Sequence, residues 1–248
     1  MAFGDITALG GGSSVAATTM DIPLPAGITT DDLLVLAATN GVPQVFGTIT
    51  LSPSGAVSPA WTVITNASHS AEGNGCWVKP ASSFDVTNAG GGAAYRLSGS
   101  ASMAVSWVIM RVEGAAAVTR RTAYVQQATA TNTSITPAAL TGVLPADLTL
   151  EIYQFAEQTR NLSPVGDAIM NYPASAPTWT QEVQAKTTLS TTSGLWDSAI
   201  AVVSKFGGGL TGDLPSAGSG SARTGTFSVN SISFVAPPNT SRFLPFFV

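Results

Sequence analysis

The sequence predicts an all-β protein: a β-sandwich of jelly-roll-like type, built from two sequence-related halves, with little helix. Three observations carry this. The best-patterned segments alternate apolar and polar residues with period two and are rich in β-branched and aromatic side chains. Clusters of Gly, Pro, Asn and Ser separate them, and the second half of the chain repeats the motif order of the first.

The repeat is read from short echoes. Leu33-Leu34-Val35-Leu36-Ala37 after Asp32 returns as Leu148-Thr149-Leu150-Glu151-Ile152 after Asp147, and Pro59-Ala60-Trp61-Thr62 returns as Pro177-Thr178-Trp179-Thr180. Val78-Lys79 then corresponds to Ser204-Lys205, Arg96 to Arg223, and Val105-Ser106-Trp107 to Ile232-Ser233-Phe234. The offset grows from 115 residues at Leu33 to 127 at Trp107, as if short loops had lengthened. So long a period is unsuited to a solenoid unit and suits a duplicated β-layer.

Taken in order, residues 1–17 are a Gly/Ser-rich arm or a first strand, with Gly10-Gly11-Gly12-Ser13-Ser14 at its centre. Residues 18–236 form the sandwich, in halves of about 18–116 and 117–236, and residues 237–248 are an apolar tail. Within the sandwich, strands are expected at 61–66, 74–79, 93–98, 103–112, 148–155, 181–189, 199–206 and 226–235. The longest two carry Trp107 and Phe234 into the core. Pro23, Pro25 and Pro145 stand before the echoed strands, where a missing backbone donor is tolerated. Gly10-Gly11-Gly12, Gly90-Gly91-Gly92, Gly207-Gly208-Gly209 and Gly218-Ser219-Gly220 read as turns. No window carries a long 3.6-residue stripe, so helices are confined to a turn or two. Asp31-Asp32 suits either a helix cap or a strand entrance.

Composition bounds the function. Only 10% of the 248 residues are charged, while Ser and Thr together number 57 and Gly another 25. A surface covered by hydroxyls and backbone, with a formal net charge of -4, repels its neighbours weakly and favours association. Three Lys and seven Arg, none before Lys79, give no basic patch for nucleic acid and no basic start for a secretory signal. The longest apolar run, 33–38, is far shorter than the ~20 residues that cross a bilayer, so no membrane span is expected. Cys76 is alone, which excludes an intrachain disulfide or a Cys-based zinc site and leaves a small buried thiol beside Trp77.

Candidate chemistry is sparse. The one histidine, His69, lies in the polar stretch Asn66-Ala67-Ser68-His69-Ser70 and reads as a solvated loop residue, not the base of a hydrolase. Gly207-Gly208-Gly209-Leu210-Thr211-Gly212 has the spacing of a dinucleotide fingerprint but leads into Asp213-Leu214-Pro215, a turn, where that motif needs a helix. The carboxylates, among them Glu72, Asp85, Glu113, Glu151, Glu157, Asp167, Glu182, Asp197 and Asp213, look scattered, mostly in turns, with no visible pairing. They give neither a glycosidase pair nor a calcium cluster, and Asp31-Asp32 reads as a solvated turn. No catalytic residue, cofactor or metal ligand is therefore assigned. The tail Phe243-Leu244-Pro245-Phe246-Phe247-Val248 is costly to expose, since burying each such side chain is worth about 1.5–3 kcal/mol. It is either the last strand of the core or a subunit contact through Phe243, Phe246, Phe247 and Val248.

The run Leu24-Pro25-Ala26-Gly27-Ile28-Thr29-Thr30-Asp31-Asp32-Leu33-Leu34-Val35, the Pro-x-Trp-Thr turn and the strand ending in Val78-Lys79 together resemble β-sandwich virion proteins of tailed bacteriophages. So does their repetition, from about Thr18 to Val235. The chain departs from that pattern at Ala60 and Thr178, where Gly is usual, and at Met110, where an aromatic often precedes the Arg. The resemblance implies a non-enzymatic capsid decoration, cement or minor head protein that stabilises a shell by binding the assembled lattice, with no catalytic residues to carry over. It implies the major capsid protein and other virion proteins as partners, homo-oligomerisation, and location in a virion assembled in the host cytoplasm. The alternative is a tail-associated or fibre protein whose loops bind host glycans.

Overall fold

The protein is described by a computed structural model covering residues 3–52, 57, 59–69, 72–90, 94–157, 179–187, 198–210, 214 and 217–238. The fold is a β-sandwich whose two sheets each come from one contiguous half of the chain. The first contains β1 (Ile6–Pro23), β2 (Leu33–Asn40), β3 (Thr50–Leu51), β4 (Thr62–Ser68), β5 (Gly73–Pro80) and β6 (Ala94–Val112), with the short helix α1 (Ser83–Asn88) between β5 and β6. The second contains β7 (Arg120–Ile135), β8 (Leu148–Glu157), β9 (Thr180–Lys186), β10 (Ser198–Phe206) and β11 (Ala217–Phe234).

The strand orders are β1-β6-β2-β5-β4, with β3 beside β6, and β7-β11-β8-β10-β9. Substituting β7 for β1, β8 for β2, β9 for β4, β10 for β5 and β11 for β6 turns one order into the other. Register agrees in detail. Leu33 faces Val112 on one side and Pro80 on the other; Leu148 faces Phe234 and Phe206. Thr62 faces Val78 and Thr180 faces Ser204, and in both pairs a bulge follows at the third strand residue, Ile64 or Glu182.

This register corrects one sequence expectation. The counterpart of Phe234 is Val112, and that of Trp107 is Val229. The two share a motif-like triplet by coincidence, and Trp107 points to the outer face of its sheet while Phe234 points between the sheets. The equivalence of Lys79 with Lys205 and of Trp61 with Trp179 stands in the same register.

Three apolar clusters account for the strand patterns. Between the sheets, Leu33, Val35, Cys76, Val78, Val108 and Met110 meet Leu150, Ile152, Ile200, Val202, Ile232 and Phe234. On the outer face of the first sheet, Leu34, Leu36, Trp77, Leu97, Trp107 and Ile109 are covered by Ile28, Phe46 and Ile49. The outer face of the second carries Tyr153, Phe155, Val203, Phe227 and Val229. Both faces of β2 are thus covered, which is why it is a continuous apolar run without the one-sided alternation of a solvated sheet.

Several expectations change at the edges. Gly10-Gly11-Gly12 and Gly218-Ser219-Gly220 lie in strands β1 and β11 and are not turns. The first is small because β1 crosses close to β9: a Cβ on Gly12 would sit 2.2 Å from the Lys186 carbonyl oxygen. Residues 94–98 and 103–112 belong to one long strand, β6; β1 takes in residues 6–17, where an arm or a first strand was expected, and runs on to Pro23, while the long edge strand β7 was not expected.

Candidate functional site

The most structured constellation lies on the outer face of the first sheet. Lys79, next to the last residue of β5, lies on the same side as Trp77, and its side chain is wholly buried, as is that of Asp85 in α1. Their contact is direct. Lys79 Nζ also donates to Tyr95 Oη at 2.7 Å, and the Tyr95 hydroxyl donates to Asp85 Oδ1. Ser82, the N-cap of α1, sends its backbone N–H and its hydroxyl to Asp85 Oδ2, each at 2.7 Å. Aromatic rings close the pocket: Trp61 stands edge-on to Tyr95 at 5.1 Å, Phe84 packs at 6.2 Å, and Lys79 Nζ lies 5.8 Å from the Trp61 ring centre. Burial disfavours the ammonium and holds the Lys79 pKa below its ordinary value against the pull of Asp85. Burial likewise keeps the Tyr95 hydroxyl protonated.

The second half keeps part of this arrangement. Lys205 Nζ lies 6.0 Å from the Trp179 ring centre, but its side chain is only half-buried, and Ser204 beside it bonds Glu182. Sequence reading found the Trp and Lys echo but not the ion pair, because Asp85 belongs to a helix too short to leave a periodic signal.

The aspartates that open the echoed strands form twin corners. Asp32 Oδ2 accepts from Thr29 N–H at 2.7 Å and Oδ1 from Gly114 N–H at 3.3 Å; Asp147 Oδ2 accepts from Leu144 N–H at 2.9 Å and Oδ1 from Ala236 N–H at 3.0 Å. The Asp32 carbonyl takes Ala81 N–H, and the Asp147 carbonyl takes Gly207 N–H. Gly27 and Gly142 both turn the approach with φ of +71°, a conformation that side chains resist. An Arg completes each corner from a different strand, Arg111 at Asp32 and Arg121 at Asp147. Asp32 is thus a buried knot, not the solvated turn expected of the pair, while Asp31 is exposed.

A third polar group joins the sheets near β4 and β7. Asn74 Nδ2 lies 3.0 Å from Glu72 Oε1, 3.0 Å from Tyr124 Oη and 2.8 Å from Ser228 Oγ, and His69 Nε2 lies 2.9 Å from the same tyrosine hydroxyl. Glu72 is completely enclosed, and burial pushes its carboxyl up to about 8. His69 is therefore half-buried and partnered, unlike the solvated residue expected, and burial lowers its pKa. Glu151, on the outer face of the second sheet, is likewise raised to about 8 by burial and accepts from the Ser231 hydroxyl. Glu72, Asp85 and Glu151 are interior residues; sequence reading placed Glu151 in a strand but took none of the three as buried. Cys76 is buried between the sheets, with its thiol pushed up to about 12.

An open groove of about 800 Å³ runs beside Trp61, lined by Phe46, Ile49, Val63, Asn66 and Trp77. No group of three or more His, Cys, Asp or Glu is placed to hold a metal ion among the described residues. No helix among them is long and apolar enough to cross a membrane. Phe243, Phe246, Phe247 and Val248 lie outside the described residues, as do residues 211–213 of the glycine-rich motif.

No protein family and no curated protein sequence matches the chain. Among solved structures it is similar to the crystal structure of the STIV MCP, with a TM-score of 0.28 and 10% identity over 94% of this chain and 98% of that one.

Proposed function

We propose that this chain is a non-enzymatic virion structural protein of a tailed bacteriophage, a capsid decoration, cement or minor head protein. One observation carries the reading: buried ionisable side chains hold the fold together. Lys79 pairs with Asp85, Asp32 and Asp147 tie corners, and Glu72 lies in the interior among Asn74, Tyr124 and Ser228, while among the described residues no carboxylate lines the groove. A catalytic site inverts that arrangement, aiming perturbed groups into a cleft. The hydroxyl-rich, charge-poor composition and the motif resemblance to phage β-sandwich proteins point the same way.

In this reading the repeated strand order, bulges and aspartate corners descend from an internal duplication, with halves of about 18–116 and 117–236. Residues 237–248 are a tail whose Phe243, Phe246, Phe247 and Val248 dock on a neighbouring subunit, the major capsid protein or another copy of this chain. Many copies binding the assembled lattice and not free subunits would stabilise it by mass action. The test is addition of purified chain to shells lacking it. Full-length chain is expected to co-sediment and raise the shell's dissociation temperature, while a chain lacking residues 243–248 folds but binds weakly. If neither chain binds, the capsid reading is wrong.

The groove beside Trp61 favours a second reading, a tail-associated protein binding host glycans, since sugars pack on aromatic faces flanked by polar groups such as Asn66. Glycan-array binding abolished by Trp61→Ala would favour it over cementing.

A further inference from the structure

The Lys79 and Asp85 pocket has an unusual composition. An amine and a carboxyl are in contact with no solvent exposure on either side chain, walled by Trp61, Phe84 and Tyr95. Hydrogen-bond donors serve the two carboxyl oxygens separately: Tyr95 Oη on Oδ1, Ser82 N–H and Oγ–H on Oδ2. Leaving two full charges in such a place carries a desolvation penalty that their attraction repays only in part. Moving the proton from Nζ to Oδ2 removes both charges and leaves a neutral amine against a neutral acid, the two reactants of amide formation. Enclosure then supplies the proximity such a reaction needs.

We propose that Lys79 and Asp85 become joined by an intramolecular amide bond after the fold closes over them. The Nζ lone pair attacks Asp85 Cγ. The developing charge on Oδ1 is met by the Tyr95 hydroxyl, and Oδ2, held by Ser82, takes a second proton from the nitrogen and departs as water. One N–C bond forms, one C–O bond breaks, and no oxidant or other reactant is required. The product amide keeps one N–H, and its carbonyl oxygen, Oδ1, keeps the Tyr95 donor. The crosslink would fasten α1 to the end of β5 beneath Trp61. Lys205, half-buried at the equivalent position of the second half, serves as an internal control.

Intact-mass spectrometry of the full-length, denatured protein tests this directly. The expected mass is that of the sequence less one water, and Lys79→Arg restores the full sequence mass. Exhaustive amine acetylation in guanidinium is expected to modify Lys186 and Lys205 but not Lys79, and fragment spectra should place the bond between residues 79 and 85. A full sequence mass for the natural chain, or acetylation of Lys79, overturns the proposal and leaves a buried ion pair. The result is independent of whether the protein belongs to a virion.

Discussion

Two polar seams tie the sheets together, and they are built on the same backbone. At one, Ser106 Oγ–H donates to the Ser198 carbonyl at 2.7 Å, the two Ser hydroxyls are 3.0 Å apart, and Thr187 N–H donates to the Ser198 carbonyl at 2.9 Å. At the other, the residues in equivalent register are Ser228, Glu72 and His69. Asn74 Nδ2 links Ser228 Oγ, at 2.8 Å, to Glu72 Oε1, at 3.0 Å, and His69 N–H donates to the Glu72 carbonyl at 2.7 Å. Backbone bonds fix the seam in both places, while the side chains differ: hydroxyls that satisfy one another on one side, a proton-holding carboxyl with Asn74 and Tyr124 on the other. The comparison teaches that strand order and corner geometry are the constant part of this fold, and that the two halves differ in single buried polar residues.

The largest effect is expected where the halves differ most. Asp85→Ala strands a buried Lys79 and should cost about 3–5 kcal/mol, whereas Lys205→Met at the half-buried equivalent should cost no more than about 1 kcal/mol. Urea unfolding of both variants checks the contrast, and equal losses would remove it. The twin corners should instead behave alike. Asp32→Ala and Asp147→Ala each leave backbone N–H groups without their carboxylate and should each cost about 2–3 kcal/mol. A loss confined to one of them would show that the corners are equivalent in geometry only.

Next is the close crossing of β1 over β9. Gly12→Ala places a methyl against the Lys186 carbonyl, which cannot step aside without moving β9, and is expected to cost about 1–3 kcal/mol. Calorimetry checks it.

The most specific effect, small per pH unit, belongs to the carboxyl seam. Glu72 keeps its proton in the folded protein up to about 8 but in the unfolded chain only up to about 4.5. Its contribution is therefore complete below about 4.5 and is lost as pH rises towards 8, so stability falls with pH across that window. Glu72→Gln should flatten this fall by up to about 1.4 kcal/mol per pH unit, leaving the matching contribution of Glu151. An unchanged pH profile would show that Glu72 titrates normally.

Much of this architecture was legible in the sequence because burial on both faces writes apolar runs, as in 33–38 and 103–112. The Trp61 and Trp179 echo marked equivalent positions for the same reason. The edge strand β7 and the full length of β1 were not legible, since Gly, Ser, Thr and Gln carry no apolar alternation where a strand makes its contacts through backbone. Nor were the buried Glu72 and Asp85: a carboxylate in a short loop reads as solvated until the fold closes over it. The false match of Trp107 with Phe234 arose because a three-residue likeness carries less information than the hydrogen-bond register.

Gold-labelled antibody imaging of the intact particle tests the proposed role most directly. Label distributed over the head of every particle is the result expected of a capsid decoration or minor head protein. Label on the tail would move the protein to the glycan-binding reading, and particles free of label and of the chain would contradict a virion role altogether.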